Sequence, residues 1–267
     1  MRGPAVVTGA SSGLGRAFAE SLASRGHPLI VVARREERLR ELAEWALREH
    51  GVPARVVVAD LATREGLSAC RDAIDEAGGA LEVAVLNAGF GTSGAFATLD
   101  RARAAEMVRL NCVAVVDLAA HVLPGMVARG AGALVVLSSA AAWQPVPFMA
   151  TYAATKAFEL HLTEAVAAEL RGTGVRAIAV CPGPTRTEFT MSEGGGTTPR
   201  GVPFDDVDLV VRSTWRALAH GRSRVPTGVV ARVSLLGSRL LPRRTIVWLA
   251  ALTHRRGRAL KGSDPPT

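Results

Sequence analysis

Short runs of aliphatic and β-branched residues alternate with longer segments of helical period along most of the chain. Ala5–Thr8 precedes a helix expected from Gly13 to Ser24, Leu29–Ala33 precedes Arg35–Glu49, and Arg55–Asp60 precedes Arg64–Glu76. Leu81–Leu86, a long helix within Arg101–Ala128, Ala133–Ser138, a helix from Thr151 to Arg171 and Val175–Val180 continue the order. Strands that are apolar throughout are covered on both faces, and strand–helix–strand alternation makes them parallel. The pattern predicts an α/β fold, a doubly wound parallel sheet in three layers.

After Cys181 the alternation stops. A Gly-rich segment from Glu193 to Gly201 reads as a mobile loop over a site, and a helix is expected near Asp205–Ala219. Beyond Pro226-Thr227-Gly228 come two apolar segments, Val229–Leu241 and Thr245–Thr253, parted by the helix-breaking Pro242. Residues 1–228 are thus expected to form the α/β unit, with 229–267 a helical extension of the same domain.

At 267 residues, with 48% hydrophobic and 21% charged, the chain has the make-up of one globular domain rather than a disordered or repeat protein. The net charge of +8 changes the picture only through its location. Residues 1–208 hold 20 Lys or Arg against 23 Asp or Glu, whereas 209–267 hold 12 against 1. Arg232 and Arg239 share a helix face opposite Val229, Val230, Val233, Leu236 and Leu240, and Arg243, Arg244, Arg255, Arg256 and Arg258 follow. Such a cationic amphipathic helix suits an anionic membrane surface; it also suits a helix packed on the domain or at an oligomer contact with its arginines in solvent, since apolar stripes more often face protein than lipid. Specific nucleic-acid binding is not expected, because the tail carries no reading module or aromatic platform. The absence of a leader, or of about 20 uninterrupted apolar residues, predicts a cytoplasmic protein, peripheral at the inner membrane surface if the tail meets lipid. Cys70, Cys112 and Cys181 are widely spaced and expected to stay reduced, and the six histidines show no metal-ligand spacing, so they read as surface or capping residues and no metal is expected.

Three segments carry chemistry. The first strand runs into Thr8-Gly9-Ala10-Ser11-Ser12-Gly13-Leu14-Gly15 and then a helix. This is the Rossmann arrangement, in which glycines let backbone approach a pyrophosphate and the helix N-terminus offers free N–H groups; the same glycines also serve any tight turn. The second strand ends in Arg34-Arg35, with no acid to hold a ribose 2′-hydroxyl. Arginine there pairs with a 2′-phosphate, which favours NADP over NAD, although the pair also suits the opening of a solvated helix. Tyr152-Ala153-Ala154-Thr155-Lys156 joins the only tyrosine of the chain to one of its two lysines. At i and i+4 they share a helix face, and the ammonium is expected to draw the phenol pKa down toward the working pH.

On these motifs the sequence resembles the short-chain dehydrogenase/reductase family, in its single-domain branch, over about residues 5 to 190. The resemblance implies that Asp60-Leu61 contacts the adenine, that Asn87-Ala88-Gly89 lies beside the cofactor, and that Asn111 serves a water-mediated proton relay to Lys156. It makes Ser139, thirteen residues before Tyr152, the hydroxyl that holds the substrate oxygen. It likewise places Pro182, Gly183, Thr185 and Thr187, of Pro182-Gly183-Pro184-Thr185-Arg186-Thr187, around a nicotinamide. By residue type Asp60 also suits a helix cap and Asn111 a satisfied polar residue. The implied activity is hydride transfer between NADP and a carbonyl or alcohol, with Tyr152 as general acid or base. Substrate would lie against Trp143, Phe148, Phe90 and Phe189, with Pro145, Val146, Pro147, Met149 and Met191 nearby, an apolar lining that favours lipid, acyl, steroid or terpenoid compounds. The family's habit implies a homodimer or homotetramer. The alternative is a catalytically silent, cofactor-binding regulatory protein.

Overall fold

The computed structural model describes residues 2–78, 80–188 and 204–258. Seven parallel strands form one sheet in the order β3-β2-β1-β4-β5-β6-β7. They are β1 (Ala5–Thr8), β2 (Leu29–Ala33), β3 (Ala54–Val58), β4 (Val83–Leu86), β5 (Gly132–Leu137), β6 (Val175–Pro182) and β7 (Arg224–Thr227). Six are expected from their apolar runs. β7, of sequence Arg-Val-Pro-Thr, is not, because Pro226 reads as a break; as the sheet's edge it tolerates a proline.

The sheet is apolar on both faces because both are covered. On one side Phe18 and Leu22 of α1 (Gly13–Ala23), Leu39 and Leu42 of α2 (Glu36–His50) and Val210 of α7 (Val207–Ala219) pack against Ala5, Val7 and Val31. On the other, Cys70 and Ile74 of α3 (Arg64–Asp75) and Leu118, Val122 and Met126 of α5 (Ala114–Arg129) pack against Val6, Ile30 and Val32. Trp215 of α7 meets Phe18 edge-on at 5.5 Å and donates its indole N–H to Ser21 Oγ at 3.0 Å, locking α7 to α1.

The stretch Arg101–Arg129 is long and apolar enough, by composition, to cross a membrane, yet α5 buries Ala114, Val115, Leu118, Val122 and Met126 in this core. The stretch is also not one regular helix. α4 (Arg101–Val108) passes through a π turn, Arg109–Val113, before α5. His27 is likewise no surface residue: it is 3% exposed, its Nδ1 2.9 Å from the Gly3 carbonyl, because it plugs the turn between α1 and β2.

The strand order reverses between β1 and β4, which opens a crevice at the carboxyl ends of those strands. α6 (Ala150–Glu169) flanks it, and the C-terminal pair α8 (Gly228–Leu240) and α9 (Arg243–Arg258) folds back over its far end. The expected loop 193–201 lies outside the described residues.

Candidate active site

The crevice begins where β1 ends. Thr8 Oγ1 accepts the backbone N–H groups of Asn87 (2.9 Å) and Ala88 (3.0 Å), and Asn87 Nδ2 donates to the carbonyls of Thr8 (3.0 Å) and Gly9 (3.3 Å). These bonds tie the β1 turn to the β4 turn. Gly9 (φ +67°) and Gly13 (φ +54°) occupy left-handed backbone that glycine adopts without strain. Gly15 packs so closely that a Cβ would stand 2.2 Å from the Gly9 carbonyl oxygen. The result is a bare backbone cradle, and Ser12, the N-cap of α1, makes no side-chain capping bond across it.

Arg34 and Arg35 both line the cavity beside the cradle, and Arg35 is the one that touches it. Arg35 donates to Ser11 Oγ (3.0 Å) and Ser12 Oγ (2.6 Å), and with Arg38 it grips Glu188. Its hydrogen bonds to Arg35 and Arg38 hold the Glu188 carboxyl down at about 2. Arg34 also lines the cavity but is largely exposed, 3.9 Å from Asp60 and from Glu106. Asp60 lines the cavity with Leu61 and also accepts the Ala62 N–H at 3.0 Å, so it serves its local turn as well.

Deeper in, α6 brings Tyr152 and Lys156 to one face, 7% and 5% exposed. Ser139 caps the 3₁₀ turn Ala140–Trp143, its Oγ accepting Ala141 N–H at 3.1 Å, and it hydrogen-bonds Tyr152. Ser138 instead donates to the Lys156 carbonyl at 2.7 Å, a structural role. Lys156 Nζ donates to the Leu137 carbonyl (2.8 Å) and lies 3.0 and 2.9 Å from the two carboxylate oxygens of the fully buried Glu159. Asn111, presented by the π turn, is fully buried behind the cavity. Its amide donates to Phe90 O and Thr155 Oγ1 at 3.0 Å, and its oxygen accepts the Phe90 N–H at 3.2 Å.

Electrostatically the site departs from the expectation that Lys156 lowers the phenol. Burial pushes Tyr152 up, and this outweighs the downward pull of Lys156 and of the Ser139 hydrogen bond, while Glu159 adds to the rise. Burial pushes Glu159 up to about 7 despite the ammonium. Burial works to lower Lys156, but the Glu159 carboxylate and Tyr152 outweigh it and the net direction is upward.

Gly9, Ser11, Ser12, Gly13, Leu14, Asn87, Ala88, Gly89, Pro182, Gly183, Thr185 and Thr187 line one cavity of about 930 Å³ together with Ser139, Tyr152 and Lys156. Gly15 supports the cradle from behind. The far end is apolar: Phe90, Val146 and Met149 face Val233, Leu241, Ile246 and Leu249 of the C-terminal pair and its linker. Trp143 and Phe148, expected against substrate, do not line it. Trp143 turns into the apolar cluster of Ala142, Leu160 and Cys181 beneath Arg224. Phe148 sits at φ +67° in a turn whose carbonyl accepts Gly94 N–H at 2.7 Å. Phe189 and Met191 lie outside the described residues. The residues that sequence reasoning passed over are Arg38 and Glu159. Only Glu159 left a signal, an acid one turn after Lys156 on the same face.

The short chain dehydrogenase family profile matches residues 4–196. Sulfoacetaldehyde reductase 2 of Chromohalobacter salexigens is 38% identical over 193 residues, 72% of this chain and 76% of that protein. Among solved structures, a short-chain dehydrogenase from Sphingobium yanoikuyae in complex with NADPH superposes with a TM-score of 0.79 at 31% identity, covering 99% of this chain and 98% of that one. The bulky-bulky ketone specific alcohol dehydrogenase from Comamonas testosteroni gives 0.75 at 29%, over 99% and 96%. The chain belongs to the short-chain dehydrogenase family and is an oxidoreductase acting between CH–OH and C=O groups.

Proposed function

We propose that the protein is an NADP-dependent oxidoreductase of apolar, bulky carbonyl compounds and the corresponding alcohols. The observation that carries this reading is the single cavity joining the glycine cradle, the Ser139–Tyr152–Lys156 cluster and the apolar wall of α8–α9. The cradle fits a dinucleotide, since Gly9 and Gly13 present backbone without side chains to the cavity and Gly15, behind them, lets the helix start pack directly on Gly9. Ser11, Ser12, Arg35 and Arg38 would hold a 2′-phosphate, for which Glu188 stands in, and Thr185 and Thr187 would border the nicotinamide. When bound, the cofactor supplies or accepts the hydride. Ser139 and Tyr152 hold the carbonyl oxygen, Tyr152 delivers or removes its proton, and Lys156 favours the phenolate. Asn111 fixes the loop after β4 through its paired bonds to Phe90, and so holds Gly89 against Lys156.

Support for bulky substrates comes from the apolar far wall and from the ketone-specific neighbour. The test is NADPH oxidation across ketones and aldehydes graded by size, with thermal unfolding in NADPH and in NADH. Turnover confined to small hydrophilic aldehydes, or equal stabilisation by both nucleotides, overturns the reading.

Two surfaces bear on partners. Val113 and Val116 of the π turn and α5, with Phe158 of α6, are exposed and support pairing of two copies through these helices. On the C-terminal pair Val229, Leu236, Leu240 and Trp248 are each more than half exposed beside Arg232, Arg239, Arg243 and Arg244. That combination supports contact with an anionic membrane surface from which apolar substrate enters beside Val233 and Leu249. Co-sedimentation with anionic but not neutral vesicles, lost on truncation of 229–267, is the expected result. A tail that changes only the oligomeric state refutes it.

A further inference from the structure

Lys156 and Glu159 form an ion pair buried at 5% and 1% exposure, three residues apart on α6, at the base of the cavity. A buried ion pair is weak evidence for stability, since desolvation offsets attraction. The rest of this face is buried as well, Leu160 at 2%, Thr155 at 3% and Thr163 at 1% exposure, and both threonine hydroxyls donate to backbone carbonyls rather than to the carboxylate. The carboxylate is therefore costly where it stands, and what it touches is the ammonium that acts on Tyr152.

We propose that Glu159 is a positioning residue: it holds the Lys156 ammonium against the Leu137 carbonyl and, through its own charge, sets how strongly that ammonium favours the Tyr152 phenolate. With Glu159 neutral, Lys156 presents an uncompensated charge to Tyr152, whose ring centroid lies 5.9 Å from Nζ. With Glu159 ionised, the pair is close to neutral and the phenolate loses support. The other titratable groups that couple to this cluster are thiols, Cys112 on the π turn and Cys181 on β6. Burial drives them up to about 11 and about 12, so both stay protonated across the working range. Arg224 of β7 and Glu164 of α6, which act on Cys181, are paired to each other. Glu159, raised by burial to about 7, is the member of the cluster that changes charge near neutrality. Tyr152 and Glu159 accordingly titrate against each other, as coupled sites do.

This inference rests on Tyr152 being the acid–base group, but its test needs neither nucleotide nor substrate. Tyr152 is the only tyrosine, so the near-ultraviolet phenolate band of the intact protein reports this residue alone, with Tyr152→Phe as the blank. In Glu159→Gln, isosteric and uncharged, the phenolate should form at lower pH by about 1 unit or more. Glu159→Asp, which restores the charge, should return the midpoint toward wild type. An unchanged midpoint in Glu159→Gln overturns the proposal. In the wild-type protein, the infrared carbonyl band of a protonated buried acid should be present below about pH 7 and vanish above it. No such band at mildly acid pH also overturns it, whether or not the variants fold.

Discussion

Replacing Arg35 by Ala removes the guanidinium that bridges the glycine cradle and the β2 end. In the free protein this side chain makes two bonds to the Ser11 hydroxyl, one to that of Ser12 and one to Glu188 at 2.8 Å. A 2′-phosphate in that place would exchange the carboxylate of Glu188 for a more highly charged acceptor. A hydrogen bond to a charged group contributes about 1.5–3 kcal/mol, and Arg35 is 45% exposed, so screening brings the expectation to about 2 kcal/mol or somewhat less. That corresponds to a weakening of NADPH of roughly 30-fold, while NADH, which lacks the phosphate, should change by less than about 2-fold. Glu188→Gln tests the other half: with the competing carboxylate gone, NADPH should bind a few-fold tighter. Fluorescence titration of both nucleotides at low and high salt measures all of this, and the selectivity should shrink as salt rises. If Arg35→Ala weakens NADPH and NADH equally, Arg35 braces the cradle rather than reading the phosphate, and the NADP assignment fails.

Tyr152→Phe should lower kcat by about 100-fold or more while leaving NADPH-induced stabilisation intact, because the phenol moves a proton and the backbone cradle is untouched; a variant with near wild-type turnover would refute its role. Gly15→Ala should abolish nucleotide binding and cost about 1–3 kcal/mol of stability, since its Cβ would stand 2.2 Å from Gly9 O and 2.5 Å from Asn87 Nδ2, both fixed by hydrogen bonds. Differential scanning calorimetry reads the loss. Stability should also fall as pH rises from about 4.5 to about 7, because the raised Glu159 binds a proton more tightly in the folded chain than in the unfolded one; the contribution is complete below the unfolded value and lost through the folded one. Glu159→Gln should flatten that limb of a Tm-against-pH curve.

What could be read from the chain, and what could not, divides along a physical line. Strands such as Leu29–Ala33 announce themselves because burial on both faces demands apolar residues at every position. The turns of the site announce themselves because a backbone approach as close as that of Gly15 to Gly9 admits no side chain. Features that depend on which way a residue points do not. Arg34 and Arg35 are equivalent in composition, and only the extended backbone of Arg35 ahead of α2 directs it to Ser11 and Ser12. Trp143 and Phe148 have the right chemistry for a substrate wall, but the 3₁₀ turn after Ser139 sends one into the core and a left-handed φ fixes the other in a turn. The π turn that presents Asn111 is not announced by the apolar pattern, which reads as one long helix within Arg101–Ala128.

The C-terminal helices show the same division and carry a consequence for function. Their stripe of Val230, Val233 and Leu240 predicts amphipathic helices, but amphipathicity leaves open whether the apolar side meets protein or lipid. The structure uses both sides. Val230, Ser234 and Gly237 of α8, with Ile246 and Ala250 of α9, close the cavity, whereas Val229, Leu236, Leu240 and Trp248 face outward. Ile246 and Ala250 are each 7% exposed, so the inner contact is packed at these residues, whereas Val233 and Leu249, which also line the cavity, stand exposed at its rim. Substitution on the inner face, such as Gly237→Phe, should therefore narrow the range of ketones accepted without changing vesicle binding. Outward substitution, such as Leu240→Ser with Trp248→Ser, should do the reverse. Steady-state specificity and sedimentation on the same two variants separate the roles. If both properties moved together in both variants, the pair would be a single stability element and neither assignment would stand.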